Sequence, residues 1–245
     1  LLRALLAGRR RIVAAGARLE PFRLGRGRAV VAALLWIVLI GIAILPLLAL
    51  LAASLSPAHG ISLRFDTATL DNYRFALLQQ DATIRALRNS FALAGVTAVV
   101  GAMVAVPLAY LATLRRNPLA RALDCVAVVS YAVPGTVLAV AVILVFLPPL
   151  PFIRISLYDT PGIILVAYLA RFLALAARPT MAGMGLVNRN LDAAAEIAGA
   201  AVLVRLRAVA GPTVVASAVV GALLVFITAL NELTLSVLLW SAGHE

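Results

Sequence analysis

Lysine is missing altogether: all 21 basic residues of this chain are arginine. Without lysine there is no G-x-x-x-x-G-K-[ST] phosphate loop, because that loop needs its lysine on the β- and γ-phosphates. A lone cysteine, Cys125, excludes an intrachain disulfide. Charge is scarce at 13% of residues, where a soluble domain carries about a quarter. No carboxylate falls inside any of the long apolar runs. No acid pair or nucleophile–base set stands at a recognisable spacing, so the chain is not expected to be an enzyme or to hold a catalytic residue. His59 and His244 lack a cysteine or carboxylate at ligand spacing, so no metal site and no resident cofactor are expected.

What is abundant is apolar: 64% of the 245 residues are hydrophobic. A water-soluble core cannot hide that much apolar surface, whereas lipid accepts it. A spanning helix needs about 20 apolar residues. Five runs qualify: 29–53 with Pro46, 91–114 with Pro107, 125–147 with Pro134 and Gly135, 162–177 with Arg171, and 214–230. They are continuous rather than alternating, which predicts an all-α polytopic bundle and not a β-barrel. Their Ala, Gly, Ser and Thr residues allow close helix approach.

The net charge of +11 lies between the apolar runs, not on a soluble basic face, so nucleic acid is not an expected partner. With the N-terminus inside, sixteen arginines fall in cytoplasmic segments and five outside. The positive-inside rule therefore favours a cytoplasmic N-terminus and an external C-terminal tail. Residues 1–28, with Arg9, Arg10 and Arg11, read as a cytoplasmic basic linker beside anionic lipid head groups. Residues 54–88 read as an external ordered loop and a short amphipathic helix.

One cytoplasmic stretch, residues 188–212, is too polar to span. Asn190 is placed to cap a helix starting at Leu191, with Asp192 in its first turn. Ala193, Ala194 and Ala195 favour helix, and Gly199 can end it. A second piece, 200–208, carries Arg205 and Arg207, and Gly211 and Pro212 are expected to break the chain before the fifth span. The expected object is a short helix, a turn and a second helix, a knob suited to a partner's groove.

These residues resemble the cytoplasmic loop E-A-A-x(3)-G-x(9)-I-x-L-P of the permease subunits of binding-protein-dependent ABC importers. Ala194, Ala195, Gly199 and Pro212 match, and Val209 stands for the Ile. Ala193 replaces the Glu and Gly211 the Leu. Asp71-Asn72-Tyr73, Asn89-Ser90, Val133-Pro134-Gly135 and Asn231-Glu232-Leu233-Thr234 are similar to further family segments. The likeness is nearest to the second half of two-half ferric-iron permeases. It implies a permease domain over residues 29–245, with a sixth span beyond the last residue. It also implies a bacterial inner-membrane location, ATP on cytoplasmic ABC ATPase subunits, a periplasmic or lipid-anchored binding protein, a second permease half, and iron transport. In the family the loop docks into the ATPase.

Arg171 stands about 14 Å into its span. It is a candidate for the translocation path, attracting an anionic or chelated substrate, or else a side chain paired in the bundle or snorkelling to head groups. Pro134, Asn231 and Glu232 are further candidates for the path or its gate, the last two alternatively a polar helix end. The rival functions are a secondary transporter driven by an ion gradient, which would favour intramembrane carboxylates, and a non-transporting scaffold.

Overall fold

The computed structural model describes residues 25–57, 67–149, 156–158 and 160–240. His59, His244 and most of the basic linker lie outside the described residues. Every regular element among those described is helical.

The chain divides into two units, residues 1–75 and 76–245. In the first, α1 (Arg28–Leu55) is a 28-residue helix that tolerates Pro46. Its end is tied to the single-turn helix α2 (Asp71–Arg74). Asn72 Nδ2 donates to the carbonyls of Ser54 and Ser56, at 3.0 and 2.8 Å, satisfying acceptors that the helix terminus leaves open. Tyr73 and Ser54 share a hydroxyl hydrogen bond of 2.6 Å.

The second unit is a bundle. Helix α3 (Asp81–Ala109) runs on through a π-helical turn, Tyr110–Leu114. The amphipathic stretch expected outside the membrane is split between Asp71–Gln79, where a single α turn runs into a π-helical turn, and the first two turns of α3. After Arg116, with φ of +52°, the side chain of Asn117 caps α4 (Pro118–Ala132) by accepting from Leu119 and Ala120 N–H. Helix α5 (Gly135–Phe146) follows, then α6 (Pro161–Met184), α7 (Arg189–Ile197), α8 (Val202–Arg205), α9 (Gly211–Leu230) and α10 (Thr234–Leu239).

The run expected as one kinked span, 125–147, is instead a broken pair, bent by 117° between α4 and α5. Val133, held extended (ψ 135°) by the proline that follows, and Pro134 (ψ 138°) form the corner. By length and composition four helices among the described residues can cross a membrane, five if the bent pair crosses as one. A second correction concerns Gly211 and Pro212, which do not break the chain. A π-helical turn, Leu206–Ala210, leads straight into α9, making one helical run of 29 residues from Val202 to Leu230. The wider turn absorbs the hydrogen bond that Pro212 cannot donate.

Helices α3, α6 and α9 form the centre of the bundle. Their contact is built from small side chains: Ala94, Ala98 and Ala105 on α3, Ala167, Ala176 and Ala177 on α6, and Ala229 on α9 are buried together. Between α6 and α9 the backbones come so close that a Cβ on Gly221 would lie 2.7 Å from the Ala176 carbonyl oxygen. A Cβ on Gly183 would overlap the Ser217 side chain. These pairs, with Tyr168 opposite Glu232, define an antiparallel register.

Candidate functional site

Two polar centres occupy the second unit. One surrounds α7. Its N-cap is Asn188, not Asn190: the Asn188 Oδ1 accepts from Asn190 N–H at 2.9 Å, one residue pair earlier than the sequence pattern suggested. Gly199 ends the helix as expected, at φ +80°. Its N–H reaches the Glu196 carbonyl and that of Ala200 reaches Ala195, a Schellman closure that needs the left-handed glycine.

On α7, Asp192 faces inward and the half-exposed Glu196 lies at the edge of the same cluster. Asp192 is buried and accepts from the Tyr110 hydroxyl at 3.0 Å. Arg115 Nε donates to the same hydroxyl at 3.2 Å, while its Nη2 lies 3.5 Å from Asp192 Oδ2 and 2.6 Å from Glu196 Oε2. Buried Arg205 of α8 places Nη1 2.8 Å from that same Glu196 oxygen. Arg189 Nη2 donates to the Thr113 carbonyl at 3.3 Å. Hydrogen bonds from Arg115 and Arg205 hold the Glu196 carboxyl below its usual range, and Glu196 with Tyr110 holds the Arg115 guanidinium above its own. Outward, α7 leaves Leu191, Ala193 and Ala194 exposed, with Ile197 89% exposed. Val209 and Pro212 lie not in α7 but in the π turn and the first turn of α9. Tyr110, Arg115 and Glu196 were not singled out from sequence. The signal was there: acids at 192 and 196 share one helical face between two arginine-bearing segments.

The second centre is at the corner of the broken pair. Arg171 Nη1 donates to the Val133 carbonyl at 2.8 Å, an acceptor freed where Pro134 ends the α4 ladder. Arg171 Nε lies 3.5 Å from Glu232 Oε2. The other Glu232 oxygen accepts from Leu235 N–H at 3.1 Å, holding the start of α10. Tyr168 O–H donates to the Glu232 carbonyl at 3.1 Å and shares a 2.6 Å contact with Ser236. Gly135 makes the meeting possible, since a Cβ there would lie 3.3 Å from Arg171 Nη1. Pro134, Arg171 and Glu232 therefore converge, although they are far apart in sequence. Asn231 does not join them: it is exposed and its Nδ2 turns back to the Ile227 carbonyl at 2.8 Å. Of the alternatives for Arg171, pairing within the bundle is what the geometry displays.

Beside this centre lies a cavity of about 230 Å³. Asn89, Ser90, Tyr168, Glu232 and Ser236 supply its polar lining, and Trp240 an aromatic wall. Among the described residues no group of three or more His, Cys, Asp or Glu is placed to hold a metal ion.

No family model matches the chain, but curated relatives do. The ABC transporter permease ORF1 of Streptomyces antibioticus is 31% identical over 177 residues, 72% of this chain and 74% of that protein. The trehalose transport system permease SugB of Mycobacterium tuberculosis is 32% identical over 219 residues, 87% of this chain and 76% of that protein. The ferric transport system permease FbpB of Actinobacillus pleuropneumoniae is 30% identical over 130 residues, 52% of this chain but only 18% of that protein. Four to five candidate spans among the described residues, all helical, and this similarity to permeases over most of the chain's length together lead to one assignment: the chain belongs to the family of ABC transporter permeases.

Proposed function

We propose that the chain is the permease subunit of a binding-protein-dependent ABC importer in a bacterial inner membrane, its N-terminus cytoplasmic. In this reading α7 is the element that meets a separate cytoplasmic ATPase. The observation that carries it is the two-sided character of that nine-residue helix. Asp192 and Glu196 are spent on contacts with Tyr110, Arg115 and Arg205, while Leu191 and Ile197 project outward. A short rigid helix that exposes apolar side chains next to a membrane bundle suits insertion into a partner's groove. Ala193 in place of the family's Glu makes that contact apolar rather than acidic.

ATP binds and is hydrolysed on the partner, and alternation between two bundle arrangements follows from the different affinity of each for the two ATPase states. A soluble binding protein delivers the substrate from outside, and a second permease half completes the pathway. Ferric iron, implied by the sequence resemblance, is the proposed cargo. It is supported by the similarity to FbpB and competes with a disaccharide, supported by the similarity to SugB. Elemental and sugar analysis of the cognate binding protein separates the two.

Deletion of 191–199 tests the central element. Uptake is expected to be abolished with membrane insertion intact, and surviving uptake would overturn the coupling role.

A further inference from the structure

Two π-helical turns lie beside α7, one ending the α3 run and the other interrupting the α8–α9 run, and the ion-pair cluster touches both. Tyr110 opens the first turn, Tyr110–Leu114, and Arg115 directly follows it. Arg205 directly precedes the second, Leu206–Ala210. Such turns carry one extra residue, bond less regularly than an α-helix, and recur at functional positions. Each also neighbours a proline that withholds a backbone N–H: Pro107 before the first, Pro212 after the second. Backbone bonding is thus irregular at the end of the α3 run and at the start of α9, the level where α7 attaches.

The attachment is specific. Arg115 is the hub, with one hydrogen bond to the Tyr110 hydroxyl, one short contact to Glu196, a longer one to Asp192, and its guanidinium 5.8 Å from the Tyr110 ring centroid. Glu196 carries the link onward to Arg205. Arg189 adds a bond to the Thr113 carbonyl within the first turn. Below the charges, Tyr110, Met184, Val187, Ala210 and Val214 form a small apolar cluster of their own. It joins the end of α3, the end of α6 and the second π turn, and excludes water from the Tyr110–Asp192 bond.

We infer that Arg115 is a positioning residue that clamps α7 to the two π turns, so that a displacement of α7 is delivered to α3 and α9 as bending at Tyr110–Leu114 and Leu206–Ala210. This rests on α7 being the ATPase contact. Arg115 converts the push on a nine-residue helix into a hinge motion of two spans, because the hinges are the irregular backbone to which that helix is tied.

The test uses the permease assembled with its ATPase in nanodiscs, with Cys125 replaced by Ala. Spin labels at Val104→Cys and Arg116→Cys bracket the first π turn, and a separate label at Ala193→Cys reports α7. The probes are ATP with orthovanadate against no nucleotide. With Arg115 in place, nucleotide shifts the 104–116 distance and changes the mobility at 193. In Arg115→Gln the distance shift is expected to vanish while the 193 label still responds, and Arg115→Lys is expected to restore part of the shift. Glu196→Gln breaks the same link from the exposed side and is expected to reproduce the loss, which guards against a failure of Arg115→Gln to assemble. An undiminished 104–116 shift in Arg115→Gln or Glu196→Gln, with α7 still responding, overturns the clamp and leaves the ATPase contact standing. A 193 label that ignores nucleotide with Arg115 present overturns the ATPase contact, and the clamp with it.

Discussion

Arg171 of α6 and Glu232, just past the end of α9, lie 3.5 Å apart inside the bundle, and Arg171 also holds the carbonyl that Pro134 sets free. The pair joins the corner of the broken α4–α5 pair to the start of α10. Removing one member leaves an uncompensated charge in a low-dielectric setting, which costs several kcal/mol, whereas removing both is far better tolerated. Glu232→Ala is expected to lower stability in detergent by about 3 kcal/mol, and Arg171→Met with Glu232→Ala by less than the sum of the single changes. Thermal unfolding of the four proteins in a double-mutant cycle measures this.

The α6–α9 approach predicts a sharp contrast between glycines. Gly221→Ala drives a methyl to 2.7 Å from the Ala176 carbonyl oxygen. It is expected to cost about 1–3 kcal/mol through overpacking. Gly95→Ala on α3 meets nothing within 4 Å and is expected to stabilise by up to about 1 kcal/mol through helix propensity. Detergent melting temperatures should move in opposite directions.

At α7 the caps can be separated. Asn188→Ala is expected to cost the helix about 1 kcal/mol, and Asn190→Ala close to nothing, because only the Asn188 side chain accepts a capping hydrogen bond. Gly199→Ala strains a residue at φ +80° and is expected to cost about 1 kcal/mol. Hydrogen exchange of the α7 amides reads all three.

Acid should loosen α7. The Glu196 carboxyl titrates below its ordinary value because Arg115 and Arg205 bond its charged form. A group depressed in the folded state contributes stability that is complete above the unfolded pKa, about 4.3, and is lost as pH falls through the folded value. Amide protection in α7 is therefore expected to be flat from neutrality to about pH 5 and to drop below about pH 4. In Glu196→Gln the same protection should start lower and lose that acid step.

The spans were readable because lipid demands long apolar runs, and each of runs 29–53, 91–114, 162–177 and 214–230 sits within a helix. Helix ends were less readable. The second candidate span begins at Asp81 and the last one among the described residues at Val202, both through polar residues that a hydrophobicity criterion discards. Proline marked a break at 134 but none at 212. The difference lies in the π turn before Pro212, which no local composition announces. Pro134, Arg171 and Glu232 were each visible as oddities, yet their convergence depends on the register of α6 against α9. Asn231 looked equivalent to its neighbour, yet its side chain turns back to the Ile227 carbonyl while that of Glu232 meets Arg171. The role of Glu196 is not legible locally, because the partners that give it that role, Arg115 and Arg205, come from other segments of the chain.

Ile197, at the exposed tip of α7, offers the most direct test of the account. With Cys125 replaced by Ala, a photo-crosslinker or thiol reagent at Ile197→Cys is applied to inverted membrane vesicles and to intact spheroplasts of cells carrying the whole transporter. The account predicts labelling by a membrane-impermeant maleimide only in the inverted vesicles, and a nucleotide-sensitive cross-link to the ATPase subunit. Labelling from the outer face of spheroplasts, with no ATPase adduct, would contradict it.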